Sequence, residues 1–209
     1  MYEMRSKKHG IIAVGFYIIM FVGYLLMGIM YKNGVQYYSL ISWILFGIVI
    51  VTALIVDKNI VGLGFLKEKV KRNLLISCII VIISLCVAFI FSEYSAFRIF
   101  KRAVYYLFYI AMMEEIIFRG FIQNYLFGFK INKYIIFIVG ALMFSLMHIP
   151  FQMYVNDMVQ LSYFLTAALQ LGFTFLFHFL MCYVTYKSKD ILISTSVHFA
   201  VDFIQAVIL

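Results

Sequence analysis

Residues 74–91, LLISCIIVIISLCVAFIF, run for 18 positions without a charge, a glycine or a proline. As a helix, at about 1.5 Å per residue, such a run reaches about 27 Å, close to the hydrocarbon thickness of a bilayer. A helix that is apolar on every face either lies in the core of a large protein or crosses a membrane. The rest of the chain decides between these. Of its 209 residues 66% are hydrophobic and 12% charged, and the mean hydropathy is +1.04, which excludes a soluble globular domain.

Comparable runs lie on both sides of this one. The expected spans are Gly10 to Met30, Tyr37 to Val56, Leu74 to Phe91, Val104 to Phe127, Tyr134 to Ile149, Leu161 to Tyr186 and Ile191 to Leu209. The expected fold is therefore all-α, a polytopic bundle of about seven transmembrane helices. One proline and twelve glycines leave no room for a Pro/Gly-rich linker, so residues 1–209 read as a single integral-membrane domain. Cys78, Cys86 and Cys182 show no CxxC or other ligand spacing and read as small buried hydrophobes.

The net charge of +8 is spread between the spans rather than over one face, which suits lipid head groups and excludes nucleic acid as a partner. Arg5, Lys7 and Lys8 precede an apolar run too long for a signal-peptide core, so the first span reads as a retained anchor. With the N-terminus cytoplasmic, the inner segments carry twelve Lys and Arg and the outer ones four. The largest inner segment joins Val61, Leu63, Phe65 and Leu66 to Lys67, Lys69, Lys71 and Arg72, a mixture that suits a stretch lying on the head groups or a solvated topogenic loop. Gly62 and Gly64 are not followed by any phosphate-binding pattern. The lean toward Ile, Phe, Lys, Tyr and Asn points to an AT-rich bacterial genome, hence a multi-pass protein of the cell membrane.

Ionisable residues inside a span cost at least about 2.5 kcal/mol each on insertion scales, so each calls for a functional account. Six stand out: Glu114, Glu115 and Arg119 in the fourth span, His148 in the fifth, and His198 and Asp202 in the seventh. Helical spacing puts Glu115 and Arg119 on one face as an ion pair, and turns Glu114 about 100° away from them. His198 and Asp202, also four apart, share a face, so the carboxylate can orient or charge the imidazole. Counting rise per residue brings Glu114, His148, His198 and Asp202 to similar depths from three helices. Two imidazoles and a carboxylate in one cavity can activate water directly, or hold Zn²⁺ through Glu114, His148 and His198. His178 reads as a packed or interhelically bonded histidine.

EEIIFR at 114–119, FSLMH at 144–148 and HFAVD at 198–202 occur in that order on successive spans. Together they resemble the EExxxR, FxxxH and Hxxx[N/D] motifs of the CPBP or Abi family, whose eukaryotic members include the CAAX prenyl endopeptidase. The resemblance covers residues 104–209. It implies an intramembrane endopeptidase in which Glu114 and His148 activate the attacking water and His198 and Asp202 stabilise the oxyanion or hold the substrate carbonyl. Glu115, Arg119 and Phe144 have supporting places, and no metal is required. Where the family more often has asparagine, this chain has Asp202; an ionised carboxylate accepts hydrogen bonds but donates none.

The expected activity is hydrolysis of a peptide bond in a membrane-associated peptide or protein. The alternative is a non-catalytic bacteriocin-immunity or scaffold protein of the Abi type, with a small secreted peptide as its partner. A proton-coupled transporter is disfavoured, because the chain shows neither an inverted repeat nor Gly/Pro-broken spans.

Overall fold

The computed structural model describes residues 5–65, 69–160 and 162–208. Among these the chain is helical apart from its short connections and contains no strand. The helices are α1 (Lys7–Lys32), α2 (Leu40–Val56), α3 (Val70–Phe91), α4 (Ala96–Val104), α5 (Met112–Glu115), α6 (Asn124–Leu126), α7 (Lys133–Val155), α8 (Tyr163–Thr166), α9 (Ala168–Ser188) and α10 (Leu192–Ile208). Four of them, α1, α3, α7 and α9, are long and apolar enough to cross a membrane. The other expected crossings rest on α2 and α10, apolar but only 17 residues each, and on the segment from α4 to α6. Four is thus the count that length and composition support, short of the expected seven.

The lipid-facing surface explains the composition. Ile55, Ile90 and Leu169 are 72%, 71% and 90% exposed, a pattern that marks a bilayer-facing wall in a chain this apolar. Cys78 and Cys86 lie on this outward surface and only Cys182 is buried, so two of the three cysteines are not the core hydrophobes expected. The residues of α3 that turn inward are instead Asn73, Ser77, Ser84 and Ala88, a stripe of polar and small side chains along one face.

The fourth expected span is not one uniform helix. It begins at Ala96, eight residues earlier than Val104, because α4 takes in the cationic stretch of Arg98, Lys101 and Arg102. From there the backbone passes into π-helical turns at Tyr105–Ala111, returns to α-helix at α5, and widens again at Ile116–Gln123. Wide turns of this kind are rare and concentrate at functional sites. The two glutamates sit on the short α-helical turn between them.

Two polar clusters tie the elements together at one end of the bundle. The Asp57 carboxylate pairs with Arg5, takes a hydrogen bond from the Tyr125 hydroxyl at 2.9 Å and lies 3.2 Å from His9 Nε2. Asn124 beside it donates to the Gly62 carbonyl at 2.6 Å. At the same end, Asn73 donates to the Asp190 carboxylate and to the Ser188 carbonyl, and Asp190 caps α10 by accepting the Leu192 N–H at 3.1 Å. Burial pushes the Asp190 carboxyl above its ordinary range, and the bonds from Asn73 and Leu192 pull against that. The opposite end is tied by Lys32 to Asp157 at 3.3 Å and by the Arg102 guanidinium donating to the Ala206 carbonyl at 2.9 Å.

The segment expected on the head groups is partly inside the protein. Val61–Leu63 forms one 3₁₀ turn, and Leu63 is fully buried against the segment carrying the glutamates. Leu66 and Lys67 lie outside the described residues. The contact requires Gly120, where a Cβ would fall on the Leu63 carbonyl. Gly120→Ala is expected to cost about 1–3 kcal/mol through overpacking. Thermal unfolding in detergent, with Gly172→Ala as the control because nothing lies within 4 Å of its Cβ position, measures this; equal melting temperatures for the two variants would refute it.

Candidate functional site

The site is assembled around Glu114 and Glu115, which the α5 turn sends in different directions. Glu115 is fully buried and pairs with Arg119, also fully buried, as the i,i+4 spacing predicts. The same Glu115 oxygen also lies 2.9 Å from His198 Nδ1, across from α10. This second contact was not legible in the sequence, since residues 83 apart carry no mutual spacing signal.

His198 is 4% exposed and faces carboxylates with both ring nitrogens. Nδ1 meets Glu115, while Nε2 lies 3.3 Å from Asp202 Oδ2 and 3.7 Å from Glu114 Oε2. A carboxylate can only accept, so the ring that satisfies all these contacts donates from both nitrogens and is an imidazolium. Three carboxylates then face the two cations His198 and Arg119, which leaves the cluster with one negative charge in excess. The Asp202 contact is the expected i,i+4 pair.

Glu114, with 28% of its side chain accessible, turns its carboxylate into a cavity of about 170 Å³. Tyr24, Phe118, Phe144, Met147, His148, Phe151 and Gln152 line it with Glu114. A volume of that size has room for several waters. His148 reaches the same cavity with its orientation set by the backbone. Its Nδ1–H donates to the Phe144 carbonyl one turn back at 3.1 Å, which leaves Nε2 as an acceptor.

Phe144 is the packing centre of the site. Its ring lies 5.0 Å from His148, 6.1 Å from His198 and 4.8 Å from Phe118, stacks on His178 at 4.4 Å, and has the Arg119 guanidinium 5.1 Å from its centroid. A guanidinium over an aromatic face recovers part of its lost hydration. His178 is buried and packed, and neither of its nitrogens has a hydrogen-bond partner among the described residues.

The six ionisable residues and Phe144 are therefore brought into one region, but the wall of the cavity differs from the one expected. The sequence places the polar groups of one cavity on the fourth, fifth and seventh spans; in the structure the first helix closes the cavity through Tyr24, and α10 stands behind Glu114. Neither His198 nor Asp202 lines the cavity. Their polar atoms are held by one another and by the glutamates, which draws them toward the charge cluster and away from the open space. A metal does not fit this arrangement well: no group of three His, Cys, Asp or Glu with ligand geometry occurs among the described residues, and both His198 nitrogens already face carboxylates.

Residues 96–204 match the model of the family described as type II CAAX prenyl endopeptidase Rce1-like. The chain belongs to that family. The match begins where α4 begins and contains the three motif segments EEIIFR, FSLMH and HFAVD almost to the end of α10. Membership of the Rce1-like family places the chain among CAAX-type intramembrane endopeptidases, and the helices make it a multi-pass membrane protein. No curated protein and no solved structure matches it. Tyr24, on the cavity wall, comes from outside the matched Rce1-like region.

Proposed function

We propose that this Rce1-like protein hydrolyses a peptide bond of a membrane-associated peptide or protein, using water activated by Glu114 and His148. One observation carries the reading: Glu114 and His148 line one cavity, large enough for several waters, and the hydrogen bond from His148 Nδ1 leaves its Nε2 as an acceptor. Glu114 accepts a proton from water, the resulting hydroxide adds to the scissile carbonyl carbon, and a tetrahedral oxyanion forms. As the C–N bond breaks, the proton held by Glu114 passes to the departing amine. His148 Nε2 accepts the second hydrogen bond of the attacking water and so aims its lone pair.

His198 acts behind Glu114. As an imidazolium held by Glu115 and Asp202, it stabilises the Glu114 carboxylate and orients it toward the cavity. Asp202 is thus a positioning residue for His198, which also accounts for a carboxylate where the family more often has an amide.

The test uses purified protein in lipid nanodiscs with membrane-anchored candidate peptides. Cleavage by the wild type is expected to persist in chelator and to fall by about 10²-fold or more in His148→Ala. Cleavage that stops on chelation and returns with zinc would replace direct water activation by a metal-dependent reaction. An inactive wild type that still protects cells against a bacteriocin would leave the scaffold reading in its place.

A further inference from the structure

Neither His198 nor Asp202 lines the cavity, so its wall is the place to look for a further group that meets the oxyanion of a peptidase reaction. We infer that Gln152 is that group, its side-chain amide N–H donating to the tetrahedral oxygen; this rests on the peptidase reading above. Gln152 lies one helical turn beyond His148 on α7 and lines the same cavity as Glu114.

The orientation of its amide follows from a chain of hydrogen bonds whose polarity is fixed at one end. Asn156 Nδ2 lies 2.9 Å from the Gln152 main-chain carbonyl, which can only accept, so this atom is the amide nitrogen. The same nitrogen lies 3.3 Å from the Tyr163 hydroxyl oxygen and donates to it. Tyr163 then has one proton to give, and its hydroxyl is 3.2 Å from Gln152 Oε1. The Gln152 side-chain carbonyl is therefore the acceptor, and its NH₂ is left for the cavity. That nitrogen has no hydrogen-bond partner among the described residues, although Gln152 is only half-buried and water can meet it in the resting protein.

The anchor is firm. Tyr163 is 3% exposed and packs with Ile149 and Ala167 in a small apolar cluster at the end of α7. A donor held in place before the reaction contributes far more to an oxyanion than one that must be ordered during it. Glu114 and His148 handle the proton, while Gln152 meets the negative charge that the carbonyl oxygen acquires. A neutral donor is suited to this place, because a cation here would be drawn to the carboxylate in excess and not left free for the oxyanion.

Steady-state kinetics on a cleaved peptide in nanodiscs tests the assignment. Gln152→Leu is expected to lower kcat by about 10²- to 10³-fold with KM changed by less than about threefold, the pattern for a contact made only in the transition state. Gln152→Glu, equal in size but without a donor when ionised, should show the same loss, so the test does not depend on one variant folding. Tyr163→Phe releases the amide without removing it and should give a smaller loss of about tenfold in kcat. A wild-type kcat in Gln152→Leu, or a raised KM at unchanged kcat, would overturn the role of Gln152 while leaving the peptidase reading intact. A kcat loss found in Tyr24→Phe instead would move the role to that residue, and a wild type that cleaves no peptide would remove both readings.

Discussion

Glu114→Gln is expected to reduce cleavage by about 10²- to 10⁴-fold, the range that a positioned general base contributes. The substitution keeps the size and shape of the side chain and removes only its ability to take a proton. The rest of the cluster has reason to stay in place, because His198 keeps Glu115 at 2.9 Å and Asp202 at 3.3 Å. Thermal unfolding should therefore match the wild type while kcat collapses. Peptide cleavage and unfolding measured on one preparation separate these effects. Wild-type kcat in Glu114→Gln would mean that the water is activated elsewhere, and with it the proposed mechanism would be lost.

Arg119→Met is expected to destabilise the protein by about 3–5 kcal/mol, because it strips one cation from a fully buried carboxylate. Glu115 would then have His198 alone against it, with three carboxylates sharing a single positive ring. Restoring charge balance with the second substitution, in Arg119→Met/Glu115→Leu, should recover much of the loss, since a buried pair replaced by apolar side chains is often close to neutral. Cleavage should not return with it. His198 Nδ1 loses its partner in the double variant, and Glu114 loses the imidazolium fixed behind it. Unfolding in detergent and kcat, taken together, test both statements: a single variant as stable as the wild type would show that the pair is not a structural support, and a fully active double variant would show that Glu115 does not position His198.

Glu115 shows where reading along the chain stops. Its pairing with Arg119 follows from the rise and turn of a helix, and so does the pairing of His198 with Asp202. Its contact with His198 joins α5 to α10, which no local periodicity encodes. Leu63 is a second case: next to a run of lysines it reads as part of a surface segment, yet it is fully buried because Gly120 leaves a place for its backbone. Gln152 carried no signal at all, since one glutamine near a helix end resembles any other polar end group.

What the amino-acid order determined alone is the membrane class, the helical fold and the short list of buried ionisable residues. Hydrocarbon forces the last two: backbone polar groups there must be satisfied within the helix, and a charge there is costly enough to stand out. Only the tertiary structure decided which carboxylate faces the cavity, which is spent on His198 and Arg119, and that α1 and Gln152 complete the wall. Those choices depend on the angle and depth at which helices cross. Packing of side chains from distant segments sets these, and wide turns such as those flanking α5 shift them in ways a uniform helical period does not anticipate.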